Sequence, residues 1–477
     1  MGRILFIQNL PTELSGIGIL SAVLKKAGHE TNVSILSFDK KEKLFKCIRD
    51  WKPDVAAFSI MSINYSWAVE LAGELKRKFG LPNIFGGPHP TFYQSMIDDC
   101  PSVDCSCFGE GEEAFLEYMD CLEKGVPPLE IQNLSVRHEG EIYKNGFRRL
   151  IPDIDALPFF DREIYYKKYD FFKKLSTKKF ITDRGCPYNC TYCFNHGMRQ
   201  MVKGKGKYLR IQSPERAVEE IKFVIDRYPA RMVGFNNDTF NWNKKWVYEF
   251  LDLYKRKINV PFYSSIRVDK FEREDAALFK KAGCHTVSLA VESGSERIRK
   301  DILNRNVSDA KLIASAGYLK EFGIKIIALN MVGLPSETLE ESYQTVEINT
   351  RIKADYTKCS VFQPLPGTQA FEIAKKLGIL KDDGKNLGSA HGKSLMAMEN
   401  IKQMENLQKI FHIMVKFPKL FPLFKKLINY SSFSIVFRII WAISQVIKFK
   451  YGYNFRFWEI VRIGLKSGDI YRIAKRI

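Results

Sequence analysis

The sequence lacks the features of an exported or membrane-spanning chain. Its first ten residues, MGRILFIQNL, hold no charged leader, no long apolar core and no cleavage site, so secretion is not expected. Gly2 is followed by Phe6 where an N-myristoylation motif places Ser or Thr. A long apolar stretch, 427–447, could just span a bilayer, but Arg438, Asn429, Ser431 and Ser432 interrupt it. Ten cysteines in 477 residues are too few for a disulfide framework. In a cytoplasmic chain they stay reduced, so clustered ones suit metal binding or catalysis. Acid is scarce in one place: residues 401–477 carry 15 Lys plus Arg but 3 Asp plus Glu, so +12 of the formal +20 charge sits there. No nucleic-acid-binding motif accompanies that charge, and no nucleic-acid partner is expected. Hydrophobic residues at 45% and charged residues at 27% are ordinary for globular chains, and the length calls for two or three domains.

What is present is alternation. Apolar runs at 3–9, 31–38, 55–62 and 83–89, then VDCSCF, are each followed by a helical pattern, such as GIGILSAVLKKAGHE ending near Gly28. Strict strand–helix alternation predicts a doubly wound parallel sheet over 1–127. Ligands of such sheets bind at the C-terminal strand ends, where SIMS, GGPHPT and GEGE fall. A connector with a small hairpin is expected at 128–174. Alternation restarts at 175–375, with about six β/α units of a partial TIM-like barrel. Ser213 and Pro214 are read as N-cap and first residue of one of its helices. A polar linker or lid at 381–400 and a basic, mostly helical region at 376–477 complete the chain. The fold class is α/β.

The chemistry concentrates in TDRGCPYNCTYCFNHG, where Cys186, Cys190 and Cys193 are spaced CxxxCxxC. Three thiolates can hold one corner of a [4Fe–4S] cube and leave its fourth iron open. A zinc site is the alternative; it needs a fourth ligand, for which His196 is near in sequence.

The CPYNCTYC signature, with an aromatic before the last cysteine and a barrel after it, resembles the radical SAM superfamily. That resemblance implies S-adenosylmethionine (SAM) on the open iron, one-electron reduction and a 5′-deoxyadenosyl radical that abstracts hydrogen. It implies an electron donor of flavodoxin or ferredoxin type. FNNDTF places Asp238 near the SAM amino group, and SSIR offers Arg267 to its carboxylate. LAVESGSERI offers Glu292 and Ser293 for ribose or methionine contacts and Arg297 for the carboxylate. NMVGLPSET, with Gly333, resembles the adenine-side segment, and FQPLPGT the sixth strand. Tyr192 and Phe194 flank the last cysteine as further cofactor contacts. No catalytic acid, base or nucleophile is assigned.

The first domain resembles the cobalamin-binding domain fused to many such enzymes. The resemblance implies that Ser59 and Ser62 bond a corrin amide or nucleotide tail, with Gly86, Gly87, His89, Gly109 and Glu110 lining the contact. The DxHxxG motif that supplies a lower cobalt ligand is missing, and His89 is read as shaping its loop. Cys105 and Cys107, and the scattered Cys47, Cys100, Cys121, Cys284 and Cys359, are assigned to packing. Methylthio-transferring relatives carry three further N-terminal cysteines and a small β domain, neither evident here.

The leading expectation is a cobalamin-dependent methyltransferase acting on an unactivated carbon of a lipid-like or other secondary-metabolite substrate. An oxidative cyclase like the anaerobic magnesium-protoporphyrin enzymes, or a non-catalytic cobalamin- or redox-responsive binding protein, are the alternatives. The tail is expected to lie on an anionic membrane face, to cap the barrel, or both. Localisation follows as cytoplasmic, with peripheral attachment to the inner membrane face.

Overall fold

The computed structural model describes residues 1–381, 393–430, 434–447, 450, 455–456 and 458–461. The expected linker or lid falls largely on 382–392, and the chain end on 462–477, both outside the described residues. The chain divides into two compact units, one built on Met1–Lys174 with Met198–Arg210, the other on Leu175–Gly197 and the described residues of 211–461.

The first unit holds β1 (Arg3–Gln8), β2 (Glu30–Ile35), β3 (Val55–Ser59), β4 (Asn83–Gly86), β5 (Cys105–Cys107), β6 (Leu134–His138) and β7 (Glu141–Lys144). They form one sheet in the order β2-β1-β3-β4-β5-β6-β7. The first five strands are parallel; β6 and β7 join antiparallel. The hairpin expected in a separate connector therefore extends this sheet, with Cys105 opposite Val136. Ile4, Leu5 and Ile7 are fully buried, as a central parallel strand covered on both faces requires. The strands end earlier than the apolar runs do: β3 stops at Ser59, and a short helix, Pro88–Phe92, starts where the fourth was expected to continue.

The second unit contains β8 (Thr177–Phe180), the two-residue β9 (Asp183–Arg184), β11 (Met232–Phe235), β12 (Phe262–Ile266), β13 (Cys284–Glu292), β14 (Lys325–Val332) and β15 (Tyr356–Val361), while the two-residue β10 (Arg210–Ile211) straddles the division of the chain. Six of them form an all-parallel sheet in the order β15-β14-β13-β12-β11-β8. Helices between them bury Val218, Ile221, Phe250, Ala276 and Leu319 against its outer face. Their starts are encoded locally: Ser213 Oγ accepts the Arg216 amide at 3.2 Å with Pro214 at the first turn, as expected. Asn243, Ser308 and Thr338 cap their helices in the same way.

The C-terminal region is helical at Ile401–Lys416, Phe421–Leu427 and Ser434–Ile447. The first of these buries Met404, Leu407, Phe411 and Met414 against Val332, Tyr343 and Cys359, covering the flank of β14 and β15. No helix among the described residues is long and apolar enough to cross a membrane.

Candidate functional site

In the second unit the loop after β8 carries the three cysteines. Cys186 and Cys190 are buried and Cys193 half-buried. The Cys193 amide donates to the Cys190 carbonyl at 3.1 Å, so the last two are tied by a tight turn. Each thiol is met by a side chain from a following strand end or from close by in the chain. Thr239 Oγ1 lies 3.5 Å from Cys186 Sγ. Arg267 Nη1 donates to Cys190 Sγ at 3.0 Å. Asn195 Nδ2 lies 3.7 Å from Cys193 Sγ and donates to Asp238 Oδ2 at 2.9 Å, which brings Asp238 beside the third thiol. Burial pushes Cys193 up to about 11, and it raises the Asp238 carboxyl against the Asn195 bond. Burial likewise raises the Cys186 thiol, and iron binding would displace the protons of these two thiols.

Arg267 is held rigidly. Asp269 accepts from its Nε at 2.9 Å and its Nη2 at 2.7 Å, and its guanidinium stacks 3.7 Å over the Tyr188 ring. A second arginine, Arg305, had no local signal in the sequence. It is buried, donating to Tyr192 Oη at 3.3 Å and to the Ala290 carbonyl at 2.8 Å, with Nη1 4.0 Å from Cys190 Sγ. Its Nε is buried with no hydrogen-bond partner. The Tyr192 hydroxyl in turn donates to Glu292 Oε1 at 3.0 Å. Glu292 ends β13 at φ +67°, a left-handed conformation unusual for a non-glycine residue, and the strand pairing shifts register beside it. Strain of that kind clusters at functional sites. Thus Cys186, Cys190, Cys193, Tyr192, Asp238, Arg267 and Glu292 are brought together, joined by Asn195, Thr239 and Arg305.

Other expected contacts stand elsewhere. Arg297 is half exposed and committed to Glu341 through two bonds of 2.9 and 2.8 Å, with a further bond to the Ser336 carbonyl. Burial would raise the Glu341 acid, but Arg297, the Thr338 amide and the Ser295 hydroxyl hold it down at about 2. Arg305, rather than Arg297, stands beside the Cys190 thiol. Ser293 is fully buried; its Oγ accepts the Ser295 amide and its carbonyl accepts Arg299 Nη1 at 2.7 Å, so it shapes the turn. Phe194 is exposed. Gly333 adopts φ +74°, and a Cβ there would lie 3.0 Å from Ile401 Cδ1.

The donor set fits a cluster better than a single ion. Among the described residues no three His, Cys, Asp or Glu side chains gather tightly enough for one metal ion, as a closed zinc tetrahedron requires. His196 Nδ1 faces Asn189 Oδ1 at 3.4 Å. Three thiols, a guanidinium on one of them and an orphaned buried donor at Arg305 suit an iron–sulfur cluster with an anionic group beside it.

In the first unit, Ser59 and Gly86 stand side by side at the ends of β3 and β4. Gly87 has φ +104°, and a Cβ there would come within 2.9 Å of the Ile60 carbonyl, so only glycine lets this loop close on β3. Thr91, absent from the expected set, ties two expected positions together: its Oγ1 donates to the Gly87 carbonyl at 2.9 Å and accepts the Gly109 amide at 3.1 Å. His89 Nδ1 lies 2.9 Å from Ser62 Oγ, its ring packs 4.3 Å from Tyr65, and its Nε2 is buried without a partner. Burial lowers its pKa to about 4, so the ring is neutral. The Glu110 carboxylate accepts from Arg210 at 2.8 and 2.9 Å and from the Ile151 amide at 2.9 Å, which makes it a fixed brace. A side-chain-free rim with hydroxyls and one orphaned imidazole nitrogen fits a bulky, amide-rimmed ligand such as cobalamin. Cys105, Cys107, Cys100, Cys284 and Cys359 are buried, and Cys47 and Cys121 half-buried.

A model of the Radical SAM superfamily matches residues 180–348, and one of the B12 binding domain matches 11–119. An uncharacterized methyltransferase of Pyrococcus horikoshii is 29% identical over 373 residues, 75% of this chain and 78% of that protein. An anaerobic magnesium-protoporphyrin IX monomethyl ester cyclase of Cereibacter sphaeroides is 25% identical over 376 residues, 75% of this chain and 59% of that protein. The solved cobalamin-dependent S-adenosylmethionine radical enzyme OxsB shares the fold, with a TM-score of 0.70 at 16% identity, covering all of this chain and 80% of that one.

Proposed function

Because the chain is a radical SAM enzyme with a B12-binding domain, we propose that it is a cobalamin-dependent methyltransferase acting on an unactivated carbon. The observation that carries this reading is the joint one: a three-thiol loop with Arg267, Arg305 and Glu292 around it in one unit, and a glycine–hydroxyl rim in the other. Cys186, Cys190 and Cys193 would hold a [4Fe–4S] cluster with SAM, and the first unit cobalamin; bound together they supply hydrogen-atom abstraction and a transferable methyl group. The chain's own residues orient and screen. Arg267 and Arg305 place two fixed cations beside Cys190, where they favour the reduced cluster and a SAM carboxylate. Asp238 and Glu292 offer acceptors for the SAM amino group and ribose. Arg297 instead braces the turn after β13. Gly86, Gly87 and Gly109, with Ser59 and Ser62, let the backbone close on the corrin edge.

The substrate is proposed to be lipid-like, and the enzyme cytoplasmic with peripheral membrane attachment. Two features support this. Val436, Ile439 and Ile443 form an exposed apolar row along Ser434–Ile447, and Phe417, Leu420 and Leu423 are exposed just before it. Lys416, Lys419, Lys426 and Arg438 lie among them with no acid in 416–447. That combination fits an anionic bilayer surface. Sedimentation with vesicles containing anionic lipid, lost in an Ile439→Glu and Leu423→Glu double variant, tests it. Reduction of the cluster calls for a one-electron donor, which we infer to be of flavodoxin or ferredoxin type.

The test of the function is chemical. Protein reconstituted without oxygen should hold about four irons and about one cobalt per chain, and turnover on extracted lipids should give both S-adenosylhomocysteine and 5′-deoxyadenosine. Iron without cobalt, or 5′-deoxyadenosine with no methylated product, refutes methyl transfer; the latter favours oxidative cyclisation.

A further inference from the structure

The inner face of the six-stranded sheet carries a cation that none of the roles above uses. From Thr357 to Cys359 the side chains of β15 alternate. Thr357 turns outward, its amide and hydroxyl 3.2 and 3.1 Å from His412 Nδ1 on the covering helix. Cys359 also turns outward, into the cluster with Met404 and Leu407. Lys358 lies between them and therefore points to the opposite face, into the barrel interior. In register across that face stand Leu329 on β14 and Ala290 on β13. The site residue Glu292 follows Ala290 past the register shift that ends β13, and the field of its carboxylate reaches Lys358.

Among the described residues the Lys358 ammonium makes no hydrogen bond and no ion pair within 4 Å, in contrast to Arg267 and Arg305, which are fully engaged except for the orphaned Arg305 Nε. Glu292 does not neutralise it by contact; that carboxylate accepts the Tyr192 hydroxyl. Desolvation lowers the Lys358 pKa, only partly countered by Glu292. Nothing in the packing of β15 requires this lysine, because the outward neighbours Thr357 and Cys359 make the strand's contacts with the helix.

We infer that Lys358 is the anion-binding residue of the substrate chamber, and that the substrate carries a carboxylate or phosphate near the sixth barrel strand. This rests on the reading of the barrel as a reaction chamber for a lipid-like substrate and narrows that substrate to an acidic one. An ammonium suits a compact, strongly hydrated anion that arrives with the ligand. Its place on β15, paired with Leu329 and within the field of Glu292, puts the anionic end near the cofactor site and leaves the apolar remainder to Leu329 and its neighbours.

The experiment uses the reconstituted holoenzyme with SAM bound. Dodecyl phosphate, dodecanoate and dodecanol are titrated below their micellar concentrations, by calorimetry, into wild type, Lys358→Met and Lys358→Arg. Wild type should bind at least one of the anions about tenfold or more tighter than dodecanol, a difference typical of a desolvated charge contact. Lys358→Met should bring anion and alcohol to the same affinity, and Lys358→Arg should keep the preference. The better anion identifies a phosphate or a carboxylate. Equal binding of anion and alcohol by wild type, or an anion preference that survives in Lys358→Met, overturns the inference. So does a Lys358→Met variant whose SAM affinity falls tenfold with its anion preference intact, since Lys358 would then serve only as counter-ion to Glu292. Failure of methyl transfer itself shows in the product assay and leaves this titration readable.

Discussion

Glu337 should make the second unit less stable as pH rises, and Glu337→Gln should remove that dependence. The residue sits in the turn between β14 and the helix Leu339–Ile352, 3% exposed. Burial pushes its carboxyl up to about 8, against the Leu334 and Gly333 amides, which favour the charged form. One oxygen accepts the Leu334 amide at 2.9 Å, and the other has no partner. The unfolded chain loses this proton near the ordinary 4.5. The folded state thus holds one extra proton between about 4.5 and 8, so stability falls with rising pH through that window and levels off above it. At about 1.4 kcal/mol per pH unit, the loss reaches about 3 kcal/mol at pH 7 and about 5 kcal/mol above pH 8. Glutamine keeps the neutral shape at every pH. The variant should match wild type near pH 4.5 and exceed it by that margin at pH 9. Hydrogen exchange of the peptide spanning Lys325–Val332 reads the unit's opening free energy without requiring the whole chain to unfold in one step. Parallel pH profiles for the two proteins would refute the reasoning, because Glu337 would then be ionised in the folded state.

Cys190→Ser should lower bound iron from about four per chain to near zero and abolish 5′-deoxyadenosine, while far-ultraviolet circular dichroism stays unchanged; iron analysis decides. Gly294→Ala should cost about 3 kcal/mol or more and weaken SAM binding, since a Cβ there meets the Gln344 carbonyl carbon and oxygen at 2.2 Å; thermal melting and SAM titration check it. Gly87→Ala combines a left-handed φ with a Cβ 2.9 Å from the Ile60 carbonyl. It should cost about 2–4 kcal/mol and lower cobalamin retention, read as cobalt per chain, with SAM affinity unchanged.

Much of this protein can be read along the chain, where the deciding interactions are local. Strand–helix alternation fixes the parallel sheets, because each amphipathic helix must cover a strand's face. The CxxxCxxC spacing places three thiols on one loop. Ser213 with Pro214 starts its helix where expected, since a cap acts within one turn. Long-range pairing decided the rest. The hairpin at 134–144 looked like a connector because its sequence does not reveal that β5 offers it an open edge. Arg297 and Arg305 are only eight residues apart, and neither carries a mark of its role. The π-helical turn at Ile298–Ile302 and the bend at Glu292 direct one to Glu341 at the surface and the other to Cys190. Asn195, Thr239 and Thr91 each reach one partner more than a dozen residues distant, and Lys358 was invisible until β15 had an inside. Sequence alone determined the elements and the cluster loop, because those depend on neighbours in the chain. Only the tertiary structure decided which charges meet, because that depends on how the strands are placed side by side.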